Sequence, residues 1–271
     1  MTETPSPAPA AAPAAVPGLL VDLADGVLRL TFDRPEVFNA LSGEVALALA
    51  DILEQVPARD DVRVVVLTGT GMAFNAGADI SGEDAHEKFD VRAMDVTNRI
   101  IRAIVACDRP VLAAVNGIAA GVGCGIALAA DIVVTASSAS FLLAFARIGF
   151  MPDGGTSATV AAAVGRARAM RMALLAEPLS AQEAYDAGLV THVASDEEFP
   201  ALVETLVRRL ASGPPLALAA TKKAVNAATL LPLEDALERE RTGQVVLMRT
   251  ADVAEGMRAF SERRKPVFRG E

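Results

Sequence analysis

Three short runs of the chain are almost wholly apolar and do not alternate: Val62–Thr68 (VRVVVLT), Val111–Val115 (VLAAV) and Ile132–Ala136 (IVVTA). A strand with one wet face alternates with period two. A β-branched, small-residue run without alternation predicts a strand covered on both faces, and so a layered α/β fold. Between the runs the spacing is helical over 88–106, stopped by Arg109-Pro110, and over the small-residue stretch 121–130. Upstream, Leu19–Val21 and Val27–Phe32 flank Asp25-Gly26 and predict a hairpin, and Ser42 precedes a helical run to Gln55. Ala139–Leu143 and Leu189–Val193 read as further strands. From Gly165 onward the chain reads as mainly helical. Ser180 and Glu183 form a capping box, and helices are expected over 196–212, 215–229, 233–249 and 252–264. The implied organisation is a Pro/Ala-rich tail over 1–18, a core over 19–200 and a helical region over 201–271. Pattern alone leaves that last region as a lid, an interface or a small second domain.

Composition removes several functions. With a net charge of −9 the chain repels phosphate backbones, which argues against a nucleic-acid partner. Its two cysteines, Cys107 and Cys124, and two histidines, His86 and His192, cannot supply a spaced zinc set, and no disulfide framework is suggested, which suits the cytoplasm. The segment Val111–Ala130 is uncharged for about a bilayer's thickness, but its four glycines and Asn116 divide it into strand, turn and helix, so no membrane partner is expected. The first 17 residues have neither a basic start nor a sustained apolar stretch, so no signal peptide is read. There is no GxxxxGK[ST] loop and no GxSxG elbow. Gly121-Val122-Gly123-Cys124-Gly125 approaches a dinucleotide fingerprint, but its third glycine falls one residue early.

Two small-residue loops follow strands and precede helices: Asn75-Ala76-Gly77-Ala78-Asp79-Ile80 and Asn116–Gly123. Small residues there either let backbone N–H groups approach a ligand at a helix N-terminus, making an oxyanion hole, or merely permit close packing. Both readings stand at this point.

These loops, with TFDRP…NAL, VVVLTGTGMAFNAGADI, RPVLAAVNGIAAGVGCGIALAADIVV, GRARAMRMALLAEPLSAQEAYDAGLV and EGMRAFSERRKPVF, resemble the enoyl-CoA hydratase/isomerase (crotonase) family in order from about residue 19 to 268. The resemblance implies a spiral of ββα turns with a C-terminal helical trimerisation region, an acyl-CoA thioester substrate, and no cofactor beyond the CoA of that substrate. It implies a homotrimer or a dimer of trimers. The backbone N–H groups of Ala78 and Val122 would hold the thioester oxygen, Val122 replacing a commoner glycine without loss of the donor. CoA contacts would come from Arg34, Val37, Ala40, Ala76, Gly77, Asp79, Ile80 and Gly121. Phe260 and Arg263, in the cluster ending at Lys265, match a stretch that covers the nucleotide end, although a solvated basic helix end reads equally well. For Asp79 a loop-bracing role is the stronger reading.

The chain departs from the hydratases of the family where they carry their glutamates, in GGGCEL and FGQPE. The corresponding residues are Gly125 and Phe145, and neither transfers protons. One acid stands eight residues beyond Phe145, Asp153 in MPDGGT, where double-bond isomerases of the family place an Asp or Glu. The resemblance thus points to a Δ3,Δ2-type enoyl-CoA isomerase with Asp153 carrying the proton, its pKa raised by Phe145, Phe150 and Met151. Asp153 also reads as an N-cap for a helix beginning near Thr156. A nucleophilic aspartate, a weak hydratase and a non-catalytic acyl-CoA binder are the alternatives. The polar run Glu83, Asp84, His86 and Glu87 reads as a loop over the acyl pocket rather than as a catalytic set.

Overall fold

The hairpin forms around Asp25: β1 (Leu19–Ala24) pairs antiparallel with β2 (Val27–Phe32), and Asp25 and Gly26 both take positive φ, as a tight two-residue turn requires. The computed structural model describes residues 15–81 and 90–271. The polar run at Glu83–Glu87 and most of the Pro/Ala tail lie outside the described residues. Of the expected tail, Val16 already bridges to Leu19 and the Gly18 carbonyl accepts from the Asp33 N–H, so ordered contacts begin before residue 19.

The unalternating runs are the centre of a six-stranded sheet, in the order β1-β2-β3-β5-β7-β10. Here β3 is Val64–Gly69, β5 Val111–Val115, β7 Ile132–Ala136 and β10 His192–Ala194, all joined in parallel after the hairpin. The side chains of β3, β5 and β7 are largely buried on both faces. Val65, Leu67, Ala113 and Val133 belong to the large core, and Val64, Val66, Leu112 and Val134 to a second core on the opposite side. The last strand starts three residues later than Leu189, because residues 187–189 close the turn after a short helix with bonds back to Glu183, Tyr185 and Ala184.

A second sheet, β4 (Ala73–Asn75), β6 (Ile118–Ala120), β8 (Ser140–Leu142) and β9 (Leu179–Ser180), runs alongside. Only β8 was expected. Strands of two or three residues carry no measurable period, and β6 lies inside what reads as a loop. Each turn of the spiral is a long strand, a short strand in the second sheet and a helix. Thus β3 and β4 lead towards α2 (Val91–Ala106), β5 and β6 to α3 (Val122–Ala129), and β7 and β8 to α4 (Thr156–Leu175). Ahead of these, α1 (Gly43–Gln55) is capped by Ser42, whose side chain accepts from Val45 N–H. α4 is interrupted at Gly165, which has φ 74° and ψ 166°.

α5 (Ala181–Asp186) opens on the expected capping box. α6 (Phe199–Ala211) lays Phe199, Val203 and Val207 on the second core, so a boundary at residue 200 would cut a helix that the sheet needs. α7 (Pro215–Thr229) is docked by one buried lysine. Lys222 Nζ donates to the Ile104 carbonyl at 2.8 Å and pairs with Asp131 at 2.8 Å. α8 (Leu233–Leu247) packs on α2 and α4, and α9 (Ala251–Ser261) packs on the turn at 144–148. Among the described residues no helix is long and apolar enough to cross a membrane, and Val111–Ala130 divides into β5, β6 and α3.

Candidate active site

A cavity of about 610 Å³ opens between the two small-residue loops, α2 and the segment leading into α4. One wall is backbone. β4 ends at Asn75, fully buried, whose Nδ2 donates to the Asn39 carbonyl at 2.6 Å and whose Oδ1 accepts from Gly77 N–H at 2.9 Å. Asn39, at φ 59°, in turn donates to the carbonyls of Thr70 and Ala73 and accepts from Arg34 N–H. The two asparagines lock the loop after β4 against the segment before α1.

The second loop then comes into contact with the first. A Cβ added to Gly77 would lie 3.1 Å from the Ala120 carbonyl oxygen and 3.6 Å from the Gly121 Cα, so a side chain there would push the loops apart. The residues that follow, Ala78 and Val122, both line the cavity. Ala78 forms a parallel bridge with Leu41 in which the neighbouring Gly77 carbonyl and Asp79 N–H take the hydrogen bonds, which turns the Ala78 N–H away from Leu41. Val122 opens α3, where the first N–H groups have no acceptor in their own helix, and its N-cap Gly121 offers no side chain.

Of the expected CoA contacts, Val37, Ala40, Ala76 and Gly77 line the cavity, as do Asp79, Ile80, Gly121 and Phe260. Arg34 and Arg263 do not. The Arg34 guanidinium donates to the Ala40 carbonyl at 2.7 Å and to Asp79 at 2.9 Å, so it braces the two loops. Burial would raise the Asp79 carboxyl, but hydrogen bonds from Ser81 and Arg34 hold it below the ordinary range, which leaves it a brace. Arg263 follows α9 on the surface, and its neighbour Arg264 is tied to Glu255 and Glu262.

The lining also carries Asp153, 5% exposed, with the buried Phe145 and Phe150. Gly154 and Gly155 take φ of 64° and 73°, a consecutive left-handed pair that side chains resist, and this turns the chain from Asp153 into α4. Asp153 is not the cap of that helix: its N-cap is Gly155, with no side-chain bond. The cap is supplied from α8 by Glu240, which accepts from the N–H groups of Gly155 at 2.7 Å and Ser157 at 2.9 Å. One oxygen of Asp153, Oδ2, accepts from Gln244 Nε2 at 2.8 Å, and the other, Oδ1, is buried without a partner. Burial pushes the Asp153 carboxyl up to about 7. Gln244 opposes that rise and the nearby Glu240 adds to it.

The family model described as enoyl-CoA hydratase/isomerase matches residues 22–271. The chain belongs to that family. It is 43% identical over 251 residues to a Rhodobacter capsulatus protein named a probable enoyl-CoA hydratase, covering 92% of this chain and 96% of that one. It is 37% identical to the 1,2-epoxyphenylacetyl-CoA isomerase of Escherichia coli, over 93% of this chain and 98% of that protein. The crystal structure of an enoyl-CoA hydratase from Mycobacterium avium subsp. paratuberculosis superposes with a TM-score of 0.88 at 48% identity, covering 93% of this chain and 98% of that one. The protein is therefore a crotonase-fold enzyme of the family that acts on acyl-CoA thioesters.

In this crotonase Gly125 is closed off. A Cβ there would stand 2.9 Å from the Gly154 carbonyl oxygen and 3.3 Å from Thr156, so the turn that delivers Asp153 occupies the space a longer side chain would need. The three carboxylates in the described cavity wall are also unequal. Asp79 is tied to Arg34 and Ser81, the exposed Asp90 caps α2 by accepting from Arg92 N–H, and Asp153 is buried with its Oδ1 unpartnered. Reading by sequence missed Asn39, Asn75, Glu240 and Gln244. A signal for the last two was present. Leu233, Ala236, Leu237, Glu240 and Gln244 form one helical stripe, and polar residues on an otherwise apolar stripe are buried for a reason.

Proposed function

We propose that this crotonase is an enoyl-CoA isomerase of the Δ3,Δ2 type, shifting a double bond by a 1,3-proton transfer through Asp153. The observation that carries this reading is the buried Asp153 carboxylate of the described lining, with Oδ1 unpartnered, in the same cavity as Ala78 and Val122. The Asp153 carboxylate takes a proton from C2 of a 3-enoyl-CoA. The electron pair moves into the thioester as a dienolate, whose oxygen the N–H groups of Ala78 and Val122 stabilise. The carboxylic acid then returns the proton to C4, leaving the double bond between C2 and C3. One group serves as base and then acid, and a pKa near 7 suits both roles at neutral pH. Hydration asks for a base on water and an acid for the α-carbon, which fits a single free carboxylate less well.

A second reading, a weak hydratase using Asp153 alone, is supported by the hydratase names among the relatives. One experiment separates the two. The protein is incubated with 3-enoyl-CoA and with 2-enoyl-CoA in D2O, with Asp153→Asn in parallel. Conjugated 2-enoyl-CoA with deuterium at C2 or C4, absent in the variant, supports the isomerase. A 3-hydroxyacyl-CoA product without conjugation supports the hydratase. Acyl-CoA binding with neither product, unchanged in the variant, points to a non-catalytic binder.

A further inference from the structure

Gln244 touches the Asp153 segment three times. Its Oε1 accepts from Met151 N–H at 3.3 Å, and its Nε2 donates to the Met151 carbonyl at 2.8 Å and to Asp153 Oδ2 at 2.8 Å. It is 1% exposed. The two Met151 contacts determine which way the amide faces. A flipped amide would set NH2 against the Met151 N–H and oxygen against the Met151 carbonyl, losing both bonds. Gln244 is therefore a donor towards Asp153 in either protonation state of the acid. Next to it, Gly243 leaves room for the Met151 side chain, whose sulfur stands where a Cβ would lie. One turn earlier Glu240 holds the other end of the same segment at Gly155 and Ser157.

We infer that Gln244 is the positioning residue of this site: by occupying Oδ2 it dedicates Oδ1 of Asp153 to carrying the proton, and so couples the C-terminal helix α8 to the chemistry. The inference rests on the proton-transfer reading above. With Oδ2 permanently accepting, the proton of the acid form resides on Oδ1, the oxygen with no protein partner. A carboxylate with both oxygens unrestrained would rotate and lose the alignment that C2 and C4 both need. The other groups around the acid do not substitute for this donor. Glu240 from α8 is an acceptor and raises the Asp153 pKa, Phe145 and Phe150 are apolar, Thr97 of α2 approaches the Gly154 turn through its methyl group, and Asp79, Asp90 and Arg92 share the cavity wall without a bond to Asp153.

The test uses Gln244→Met, which keeps the length and loses the donor, and Gln244→Glu, which keeps the Met151 N–H acceptor. Each is checked for wild-type circular dichroism and for binding of a saturated acyl-CoA. The Asp153 titration is followed by carboxyl 13C NMR, assigned with Asp153→Asn, alongside the pH profile of isomerisation. In folded Gln244→Met the Asp153 titration and the acid limb of kcat/KM should both move up by about one pH unit, and further in Gln244→Glu. The plateau kcat should fall about tenfold, with KM within twofold. An unchanged Asp153 titration and limb in whichever variant folds would overturn the positioning role while leaving the isomerase reading intact. A shifted titration in a wild type that neither conjugates 3-enoyl-CoA nor exchanges deuterium at C2 would overturn the isomerase reading and the inference with it.

Discussion

The two walls of the cavity are built by opposite means. The wall with Ala78 and Val122 is made of backbone, set by two parallel strands and held by Asn39 and Asn75, and its chemistry belongs to N–H groups that any residue but proline provides. The wall with Asp153 is made of side chains, and its partners Glu240 and Gln244 stand 87 and 91 residues further along the chain on α8. The first wall should therefore tolerate side-chain exchange and resist anything that separates the loops. The second should be sensitive to single atoms.

The sharpest break in that comparison is Asp153→Asn. It should lower isomerase kcat by roughly 10²- to 10⁴-fold, as removal of a general acid–base does, with acyl-CoA binding retained. The same change should stabilise the protein at pH 8. The folded chain holds the Asp153 proton up to about pH 7, against 3.8 for an ordinary aspartate, so in between it binds more protons than the unfolded chain. Stability from this group is then highest in acid, falls as pH rises from about 4 to about 7, and is level above. The variant should lack this slope and gain on the order of 2–4 kcal/mol at pH 8 in urea titration, the shift converted at ~1.4 kcal/mol per unit. Equal stability of the two proteins across that range would mean Asp153 is solvated.

Next in size is Gly125→Glu, which sets a second carboxylate against the turn that carries Asp153. Because a Cβ there meets the Gly154 carbonyl at 2.9 Å, the side chain displaces the Asp153 turn. It should cost about 1–3 kcal/mol in thermal unfolding and yield no hydratase product. Appearance of 3-hydroxyacyl-CoA would show that the turn yields more easily than its packing implies. Glu240→Gln keeps much of the α4 cap but removes a charge beside Asp153. It should cost about 1 kcal/mol or less and move the acid limb of the pH profile downwards, opposite to the Gln244 variants. The smallest effect is expected from Val122→Ala on the backbone wall: the N–H stays, and kcat/KM should remain within about threefold. A loss as large as that of Asp153→Asn would place the valine side chain, rather than its N–H, in the chemistry.

The central sheet was readable because burial on both faces leaves a local mark, three apolar runs without alternation, and the helices after residue 180 were readable from caps and prolines. The family, too, was visible in the order of its motifs. Most of the second sheet was not, because Ala73–Asn75 and Ile118–Ala120 are too short to show a period and are strands only through pairing with each other and with Ser140–Leu142. The chain's own letters also determine that residues 125 and 145 carry no carboxylate and that one acid follows in MPDGGT. Whether Asp153 would cap a helix or be buried at the cavity with one oxygen unpartnered was a matter for tertiary structure alone. Both uses begin from the same local sequence, and the choice falls to Glu240, which takes the capping bonds, and to Gln244, which takes one oxygen and leaves the other bare. Likewise the sequence offers Arg34 and Asp79 as CoA contacts and Asp79 also as a brace, and only the fold pairs the two with each other. A carboxylate's pKa and partners depend on what the rest of the chain brings within about 4 Å, and no local pattern encodes that.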